Sequence, residues 1–530
     1  MKQKLLAFLL TSAMLLTPAV SAAASEADAG NEQAAPDVSA AASETGEGDE
    51  QTDPDVSDPA SEAGEGNEQA APAVTQHSAR IGGEEISYTA AAGTMDLDTS
   101  CGTCSMFYVA YTRDDTKDDP NRPITFAFNG GPGSSSEWIH MAFLGPRIIE
   151  LDETGKAVKY PAEIIDNENS ILDMSDLVFI DPVGTGYSRA AGSSVEEDFC
   201  SYENDILSVA EFIRKYINEN NRWASPKYIA GESYGTVRAV GLAEYLSSAY
   251  GMGLNGLMLV STINDFMTEP ILGGDIGLVL GLPTFAADAW YHGKCSQQYL
   301  DMSLEEYMDE VRAFAGEEYM RALFMGRSIP EDVKDDIAQR MSDYLGISKS
   351  YVLEQNLRIT VEGFCDELLK DQALTIGRID GRFSGPTIVG DSVNGGADPS
   401  LTSLDIIFAT AVNDYITREL EYKTEELYVP MSDSVNYAWD YNAYNQVLSQ
   451  RDTIKNLMSK NTFLKIWVLC GYYDLATPFF AAEWVYNHVF LNEEQVPNLQ
   501  FTYYPSGHMF YLNRDAFAEF RGQSESWYKQ

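Results

Sequence analysis

The stretch Gly231–Gly235, GESYG, sets a serine between two glycines, and its surroundings constrain the fold more than any other part of the chain. Before it, apolar residues recur at helical spacing, at Ile206, Val209, Phe212, Ile213, Tyr216 and Ile217. A short apolar strand, Tyr228–Ala230, leads into the serine, and a second helical pattern follows. A plain glycine-rich bend is the alternative. Helix, strand, sharp turn and helix together favour a nucleophile elbow with Ser233 at its tip.

A nucleophilic serine needs a base and a group that orients the base. His508 follows an alternating strand, Leu499–Tyr504, and Asp474 follows a buried-looking strand that ends near Gly471. The chain order Ser233, Asp474, His508 is that of the α/β-hydrolase triad. In that arrangement Asp474 accepts the imidazole N–H, while His508 takes and returns the serine proton. The sequence therefore predicts an α/β-hydrolase fold, with a central, mostly parallel sheet flanked by helices.

A second glycine-rich turn, Asn129–Gly133, follows another apolar strand. Glycines leave backbone N–H groups bare, which suits the binding of a developing oxyanion. A plain Gly/Pro turn is the alternative interpretation. We expect the two oxyanion donors to be the N–H groups of Gly131 and Tyr234.

Five motifs in the same order resemble the serine carboxypeptidases, the family of carboxypeptidase Y and cathepsin A. They are FNGGPGSSS at 128–136, DPVGTGYS at 181–188, AGESYGT at 230–236, GYYDLATPF at 471–479 and SGHMFY at 506–511. The resemblance spans about residues 80 to 520. It implies an α/β-hydrolase that removes C-terminal residues from peptides through an acyl-enzyme, often best at acidic pH.

The resemblance also implies roles for individual residues. The triad would be Ser233, Asp474 and His508, and the oxyanion donors would be Gly131 and Tyr234. Asn129 and Glu232 would bind the substrate's terminal carboxylate. Glu232 must hold a proton to donate a hydrogen bond, so this binding should weaken as Glu232 ionises.

The chain departs from the family pattern after the NGGPG turn. Better-known members carry a second glutamate there, and this chain has Phe143. Glu137 and His140 lie nearby and could replace it only if the local helix turns one of them inward. Ser134 stands in place of the usual cysteine, so that disulfide is absent. These changes leave the triad chemistry intact but leave open an aminopeptidase, an esterase or an acyltransferase on the same fold. A secreted binding protein without catalysis is a further alternative, and the complete triad speaks against it.

The region between two predicted core strands, about residues 265 to 435, has the pattern of a cap. Helical stripes with acidic faces fill residues 265 to 435, as in SLEEYMDEVRAFAGEEYMRALFMG and PEDVKDDIAQRMSDYLG. An insertion of this length between core strands predicts a helical cap over the active site.

The N-terminal region divides into two segments of different composition. Residues 1–24 have the layout of a secretory signal peptide: two lysines, a short apolar stretch and small residues at the cleavage region. Residues 25–76 hold three degenerate copies of an 18-residue unit, with 14 Asp and Glu between Ser25 and Thr75 and no Lys, Arg or aromatic residue. This composition predicts a disordered acidic linker. Residues 77–530 would then form the peptidase domain of a secreted protein with no membrane insertion.

The formal net charge of −46 indicates a protein that repels nucleic acid and anionic lipid. Peptide substrates are the partners that the family resemblance implies. Cys101 and Cys104 form a lone C-x-x-C, interpreted as a local disulfide or two plain thiols. No metal site and no cofactor is predicted. The absence of an N-x-S/T sequon favours a bacterial member. No feature of the sequence fixes an oligomeric state.

Overall fold

Strands supply the frame that positions the candidate site. The computed structural model describes residues 71–270, 274–388, 398–402 and 404–529. The strands in these ranges are β1 (Ala73–Ile81), β2 (Glu84–Thr99), β3 (Gly102–Arg113), β4 (Ile124–Phe128), β5 (Arg147–Ile149), β6 (Ile164–Asp166), β7 (Asp176–Ile180), β8 (Arg189–Ala190), β9 (Lys227–Glu232), β10 (Gly256–Val260), β11 (Leu374–Ile376), β12 (Ser384–Pro386), β13 (Lys465–Gly471) and β14 (Leu499–Tyr504).

Ten of the described strands form one sheet, in the order β1-β2-β3-β7-β4-β9-β10-β13-β14, with β8 paired to β3. The strands β1, β2, β3 and β7 pair antiparallel, and every pair from β7 to β14 is parallel. The pairs β5–β6 and β11–β12 form two small antiparallel sheets. The carboxyl ends of the parallel strands meet at one edge, where α/β folds place their ligand sites.

Helices cover the sheet and fill the segment between β10 and β13. The described helices are α1 (Tyr202–Glu219), α2 (Tyr234–Tyr250), α3 (Asp275–Tyr291), α4 (Gln297–Leu300), α5 (Leu304–Phe314), α6 (Met320–Met325), α7 (Glu331–Leu345), α8 (Lys349–Glu354), α9 (Val361–Leu368), α10 (Asp405–Asp414), α11 (Asp433–Ala438), α12 (Arg451–Lys460), α13 (Phe479–Asn487) and α14 (Arg514–Lys529). Ten of them, α3 to α12, lie between β10 and β13 in the chain.

Both faces of the sheet are buried, and β10 shows how the sequence achieves this. Leu257 and Leu259 pack into one hydrophobic core, whereas Met258 and Val260 pack into the core on the opposite face. Successive side chains of a strand point to opposite faces, so an unbroken apolar run is what a sheet covered on both sides requires. The predicted α/β-hydrolase architecture is confirmed by this mostly parallel sheet with helices around it.

The folded body starts earlier than the sequence predicts. Strand β1 begins at Ala73 and pairs with β2, so the boundary placed between residues 76 and 77 lies four residues too late. The cause is backbone pairing: Ala73–Gln76 are uncharged, and the free edge of β2 offers them a hydrogen-bonded ladder. The predicted signal peptide, 1–24, and the predicted linker up to residue 70 lie outside the described residues.

Two further observations concern the described part of the chain. No helix there combines the length and the apolar character needed to cross a bilayer. The six cysteines all lie in described ranges and are free thiols, so Cys101 and Cys104 form no disulfide here. Of the two interpretations of the C-x-x-C pair, the structure has the plain thiols.

Candidate active site

The serine elbow connects β9 to α2. Ser233 has φ 58° and ψ −129°, a strained backbone conformation that residues other than glycine rarely adopt. Its N–H donates to the Val260 carbonyl at 3.0 Å on the neighbouring β10. Its own carbonyl accepts from the N–H and the hydroxyl of Thr236, at 2.9 and 2.7 Å. These bonds at the two ends of the residue hold the sharp turn that the sequence predicts.

The glycines around the serine are required by close backbone approach. A Cβ on Gly231 would lie 2.2 Å from the Gly235 carbonyl oxygen, well inside van der Waals contact. A Cβ on Gly130 would lie 2.5 Å from the Tyr234 nitrogen. The second of these contacts brings the loop after β4 directly against the elbow. Gly131 in that loop, and Tyr234 in the elbow, are therefore neighbours.

Asp474 and His508 follow β13 and β14, and their side chains meet. His508 Nδ1 lies 2.8 Å from Asp474 Oδ2. The Thr477 hydroxyl donates to the same Oδ2 at 2.5 Å and lies 3.2 Å from His508 Nδ1. Burial alone would lower the pKa of His508, but the Asp474 carboxylate beside it holds that pKa above its ordinary value. Sequence reasoning found Asp474 and His508 and missed Thr477.

Four predicted residues line one cavity of about 50 Å³. They are Gly131, Ser233, Tyr234 and His508. Tyr234 is the first residue of α2, so its N–H has no partner within the helix, and the positive end of the helix dipole lies there. A serine hydroxyl, an imidazole held by a carboxylate and N–H groups at one cavity are the parts that acyl transfer requires.

Asn129 and Glu232 are hydrogen-bonded to each other beside this cavity. Asn129 Nδ2 donates to Glu232 Oε1 at 2.8 Å, and the Ile139 N–H donates to Asn129 Oδ1 at 3.0 Å, which fixes the orientation of the amide. The Tyr511 hydroxyl donates to Glu232 Oε2 at 2.6 Å. Burial raises the pKa of Glu232 to about 7. Both Asn129 and Glu232 line a second, smaller cavity that also contacts Ser233 and His508.

Neither of the two candidates near Phe143, Glu137 and His140, is among the groups that act on Glu232. His140 lies 2.6 Å from the Tyr111 hydroxyl and stacks on Phe179, and burial lowers its pKa to about 3. The buried Glu137 carboxyl has Asp405 and Asp181 as its charged neighbours. The hypothesis that either replaces the second glutamate is therefore wrong in its geometry. His140 lies in the π-helical segment 139–144, and Glu137 precedes it.

Arg238 is a buried support that the sequence analysis missed. Its Nε donates to both oxygens of Asp205 on α1, at 3.0 and 2.8 Å, and its Nη1 donates to the Asn129 carbonyl at 2.7 Å. The guanidinium therefore fastens the Asn129 loop to α1 and α2. A single charge among Val237, Ala239 and Val240 was the available signal, because a buried charge needs a partner.

Comparisons with known proteins agree with this arrangement. Residues 83–266 match the family model "Serine carboxypeptidase". Serine carboxypeptidase-like 50 of Arabidopsis thaliana is 26% identical over 175 residues, which are 31% of this chain and 36% of that protein. Carboxypeptidase Y homolog A of Podospora anserina is 29% identical over 178 residues, 33% of this chain and 29% of that protein.

Over residues 83–266 the chain is therefore similar to the serine carboxypeptidases. It spans about a third of the length of the curated relatives that it matches. A solved structure, that of the prohormone-processing carboxypeptidase Kex1(delta)p from Saccharomyces cerevisiae, has a TM-score of 0.54 and 15% identity, and covers 83% of this chain and 91% of that one. This likeness shows the fold. The family match includes Asn129 and Ser233 but ends before Asp474 and His508.

Proposed function

We propose that this chain is a serine carboxypeptidase that releases C-terminal residues from peptides. The buried pair Asn129 and Glu232 carries the proposal, because it lies at the second cavity beside Ser233. There an amide N–H and a carboxyl O–H can face the terminal carboxylate of a substrate. A general hydrolase has no need of such a pair next to its nucleophile.

Acylation would begin at Ser233. Its Oγ attacks the carbonyl carbon of the last peptide bond while His508 takes the serine proton. The carbonyl oxygen becomes an oxyanion, which the N–H groups of Gly131 and Tyr234 stabilise. The C–N bond then breaks, His508 returns the proton to the leaving amine, and the remaining peptide stays esterified to Ser233.

Deacylation repeats these steps with water. His508 takes a proton from the water, whose oxygen attacks the ester carbon through a second oxyanion at the same N–H groups. The bond to Ser233 Oγ breaks and His508 returns the proton to that oxygen. The shortened peptide leaves with a new carboxyl group, which releases its proton to solvent. Each bond formed is matched by one broken, and no cofactor enters the cycle.

The proposal implies a bell-shaped pH dependence for peptides. His508 acts as a base only when it is neutral, which sets the acid limb. Glu232 donates to the substrate carboxylate only when it is protonated, which sets the alkaline limb around its pKa of about 7. The two groups interact electrostatically, so the two limbs report the pair and not each residue alone.

Replacing Asn129 tests the proposal. Asn129→Ala removes the amide N–H from the second cavity, so kcat/KM for a blocked dipeptide with a free carboxylate should fall about 10- to 100-fold, the worth of a hydrogen bond to a charged group. The matching methyl ester has no carboxylate, so kcat/KM for it should fall less than about threefold. The measurement is kcat/KM on both substrates.

Asn436→Ala provides the matched control. Its Nδ2 donates to the Pro132 carbonyl at 2.8 Å, so this change loosens the same loop without touching Glu232. It should affect acid and ester substrates equally. Equal losses on both substrates in Asn129→Ala would contradict carboxylate recognition and favour an esterase, an aminopeptidase or an acyltransferase, the alternatives raised by Phe143.

We also propose that the protein is exported. The pattern of residues 1–24 supports this, with lysines, an apolar stretch and small residues in the order of a secretory signal. Peptide substrates are the partners that the proposed chemistry requires.

A further inference from the structure

Glu232 lacks the neighbouring second glutamate of the family pattern, and the Tyr511 side chain forms a hydrogen bond to it instead. We propose that the Tyr511 hydroxyl, supported by Phe143, replaces a second carboxyl as the hydrogen-bond partner of Glu232 and positions it for the substrate's terminal carboxylate. Tyr511 is a positioning residue, because its contact to the reaction runs through Glu232. The inference rests on the proposed function for its kinetic consequence, although its structural part can be tested without substrate.

The geometry assigns the proton of Glu232 to one oxygen. Asn129 Oδ1 accepts from the Ile139 N–H, so the amide must present Nδ2 to Glu232 Oε1, and it can only donate there. Oε2 faces the Tyr511 hydroxyl at 2.6 Å. A phenol both donates and accepts, so it can accept from a protonated Oε2 when the site is empty, and donate to Oε2 when that oxygen is ionised or when its O–H has turned to a substrate carboxylate. Tyr511 therefore serves Glu232 in both protonation states.

Phe143 holds Tyr511 in this position. The two rings stack with centroids 4.6 Å apart and planes 9° from parallel, and Phe143 is fully buried. Phe510, Phe517 and Phe520 close the same aromatic cluster around Phe143. A glutamate at position 143 would place a carboxyl group inside this apolar cluster, where burying it is unfavourable. The phenylalanine and the tyrosine thus form a matched pair: one supplies the packing surface and the other supplies the hydroxyl.

A neutral partner changes the electrostatics of Glu232. Two neighbouring carboxyls share a proton because both cannot ionise cheaply, whereas a phenol adds no negative charge. The groups that act on Glu232 are the His508 imidazole, the Asp474 carboxylate, the Tyr511 hydroxyl and the Asn129 amide. Only Asp474 among them is an anion, and it is hydrogen-bonded to His508, which lines the cavity. Burial is the main cause that keeps the proton on Glu232.

The experiment compares the unmodified protein with Tyr511→Phe, which keeps the stacked ring and removes the hydroxyl. Infrared difference spectra across pH follow the carbonyl band of protonated Glu232, and the band is assigned by its absence in Glu232→Gln. The ionised carboxylate loses a donor in Tyr511→Phe, so the titration midpoint should rise by about one pH unit. An unchanged midpoint, or a lower one, would overturn the proposal.

Kinetics then test the positioning role. Tyr511→Phe should raise KM for the free-acid dipeptide about tenfold and move its alkaline limb to higher pH, with little change on the methyl ester. Tyr319→Phe is the matched control, because it removes a buried hydroxyl that donates to the Leu357 carbonyl in the helices between β10 and β13. It should move neither the limb nor the midpoint. Equal losses on acid and ester in Tyr511→Phe would show a merely structural residue.

The two proposals fail in different ways. If Asn129→Ala does not discriminate acid from ester, carboxylate recognition fails, yet the Glu232 titration still decides whether Tyr511 is its partner. If Asn129→Ala discriminates and the midpoint stays fixed in Tyr511→Phe, the carboxypeptidase proposal stands and the role of Tyr511 is wrong. Should Tyr511→Phe fold poorly, Phe143→Leu provides a second variant. It retains the hydroxyl but loosens its support, so it should shift the midpoint in the same direction by less.

Discussion

At the scale of single residues, a hydroxyl group donates a hydrogen bond to each of two buried carboxyl groups: Thr477 to Asp474, and Tyr511 to Glu232. Asp474 Oδ1 accepts from the N–H groups of Ala476 and Thr477, each at 2.9 Å, while Oδ2 accepts from the Thr477 hydroxyl and His508 Nδ1. A buried carboxylate that accepts from four donors is held in one orientation. The imidazole therefore meets a fixed acceptor, which sets the tautomer that leaves Nε2 free for its proposed role as base.

Thr477→Val tests this role of a hydroxyl. Valine has nearly the same shape, so the change removes one donor from Asp474 and should lower kcat about tenfold, the cost of one hydrogen bond to a charged group. Thr477→Ser restores the hydroxyl and should recover most of the activity. The measurement is kcat on the methyl ester, which does not depend on Glu232. A serine variant as impaired as the valine variant would show that shape and not the hydrogen bond matters.

The residues that sequence reasoning found differ in kind from those it missed. Ser233, Asp474 and His508 each follow a strand at a recognisable turn, and the structure brings Asp474 and His508 into contact. Thr477 and Tyr511 carry no such signal, because any hydroxyl can donate and only the folded chain selects one. Tyr511 reaches Glu232 across 279 positions of sequence. No local pattern encodes a contact of that range.

At the scale of elements, the elbow depends on glycines, which have no side chain. Gly231→Ala would drive a Cβ to 2.2 Å from the Gly235 carbonyl oxygen, a backbone atom that cannot yield. We expect the free energy of unfolding to fall by about 2 kcal/mol or more, measured by urea denaturation. Ester hydrolysis should be lost with it, because any relief of the clash displaces Ser233.

A glycine in a helix provides the contrast. Gly522 lies within α14, and a Cβ there would meet nothing within 4 Å. Gly522→Ala should therefore stabilise the protein by about 0.5 kcal/mol through helix propensity, with activity unchanged. If both alanine variants lose stability alike, close backbone packing is not what selects glycine at the elbow.

At the scale of the whole molecule, the fold class was predictable and the extent of the folded body was not. Alternating buried strands and helices around Ser233 determine an α/β sheet because each apolar run must be covered on both faces. The start of β1 at Ala73 left no trace in the composition of the acidic segment. The residues Ala73–Gln76 are uncharged, and pairing with the backbone of β2, together with a hydrogen bond from Gln76 Nε2 to Thr89 Oγ1, brings them into the sheet.

Buried carboxyls across the molecule give its stability a pH dependence with a definite sign. Burial raises the pKa of Asp181 to about 6 and those of Asp405 and Glu232 to about 7. Below these values the folded protein binds more protons than the unfolded chain, so the free energy of unfolding rises as pH falls from 8 towards 6. Buried His140, with its pKa lowered to about 3, opposes this below pH 6.5, where the unfolded histidine gains a proton.

We therefore expect the melting temperature to be highest near pH 6 and to fall towards pH 8. The net charge of −46 adds to this trend, because self-repulsion weakens as carboxylates are neutralised. Calorimetry of Asp405→Asn should show a smaller difference between pH 6 and pH 8, since one of the raised carboxyls is gone. Asp115→Asn, an exposed carboxylate whose pKa the Arg113 hydrogen bond lowers, should leave the difference unchanged. A melting temperature that rises from pH 6 to pH 8 would mean that the buried carboxyls are ionised throughout this range and that their burial is offset by partners.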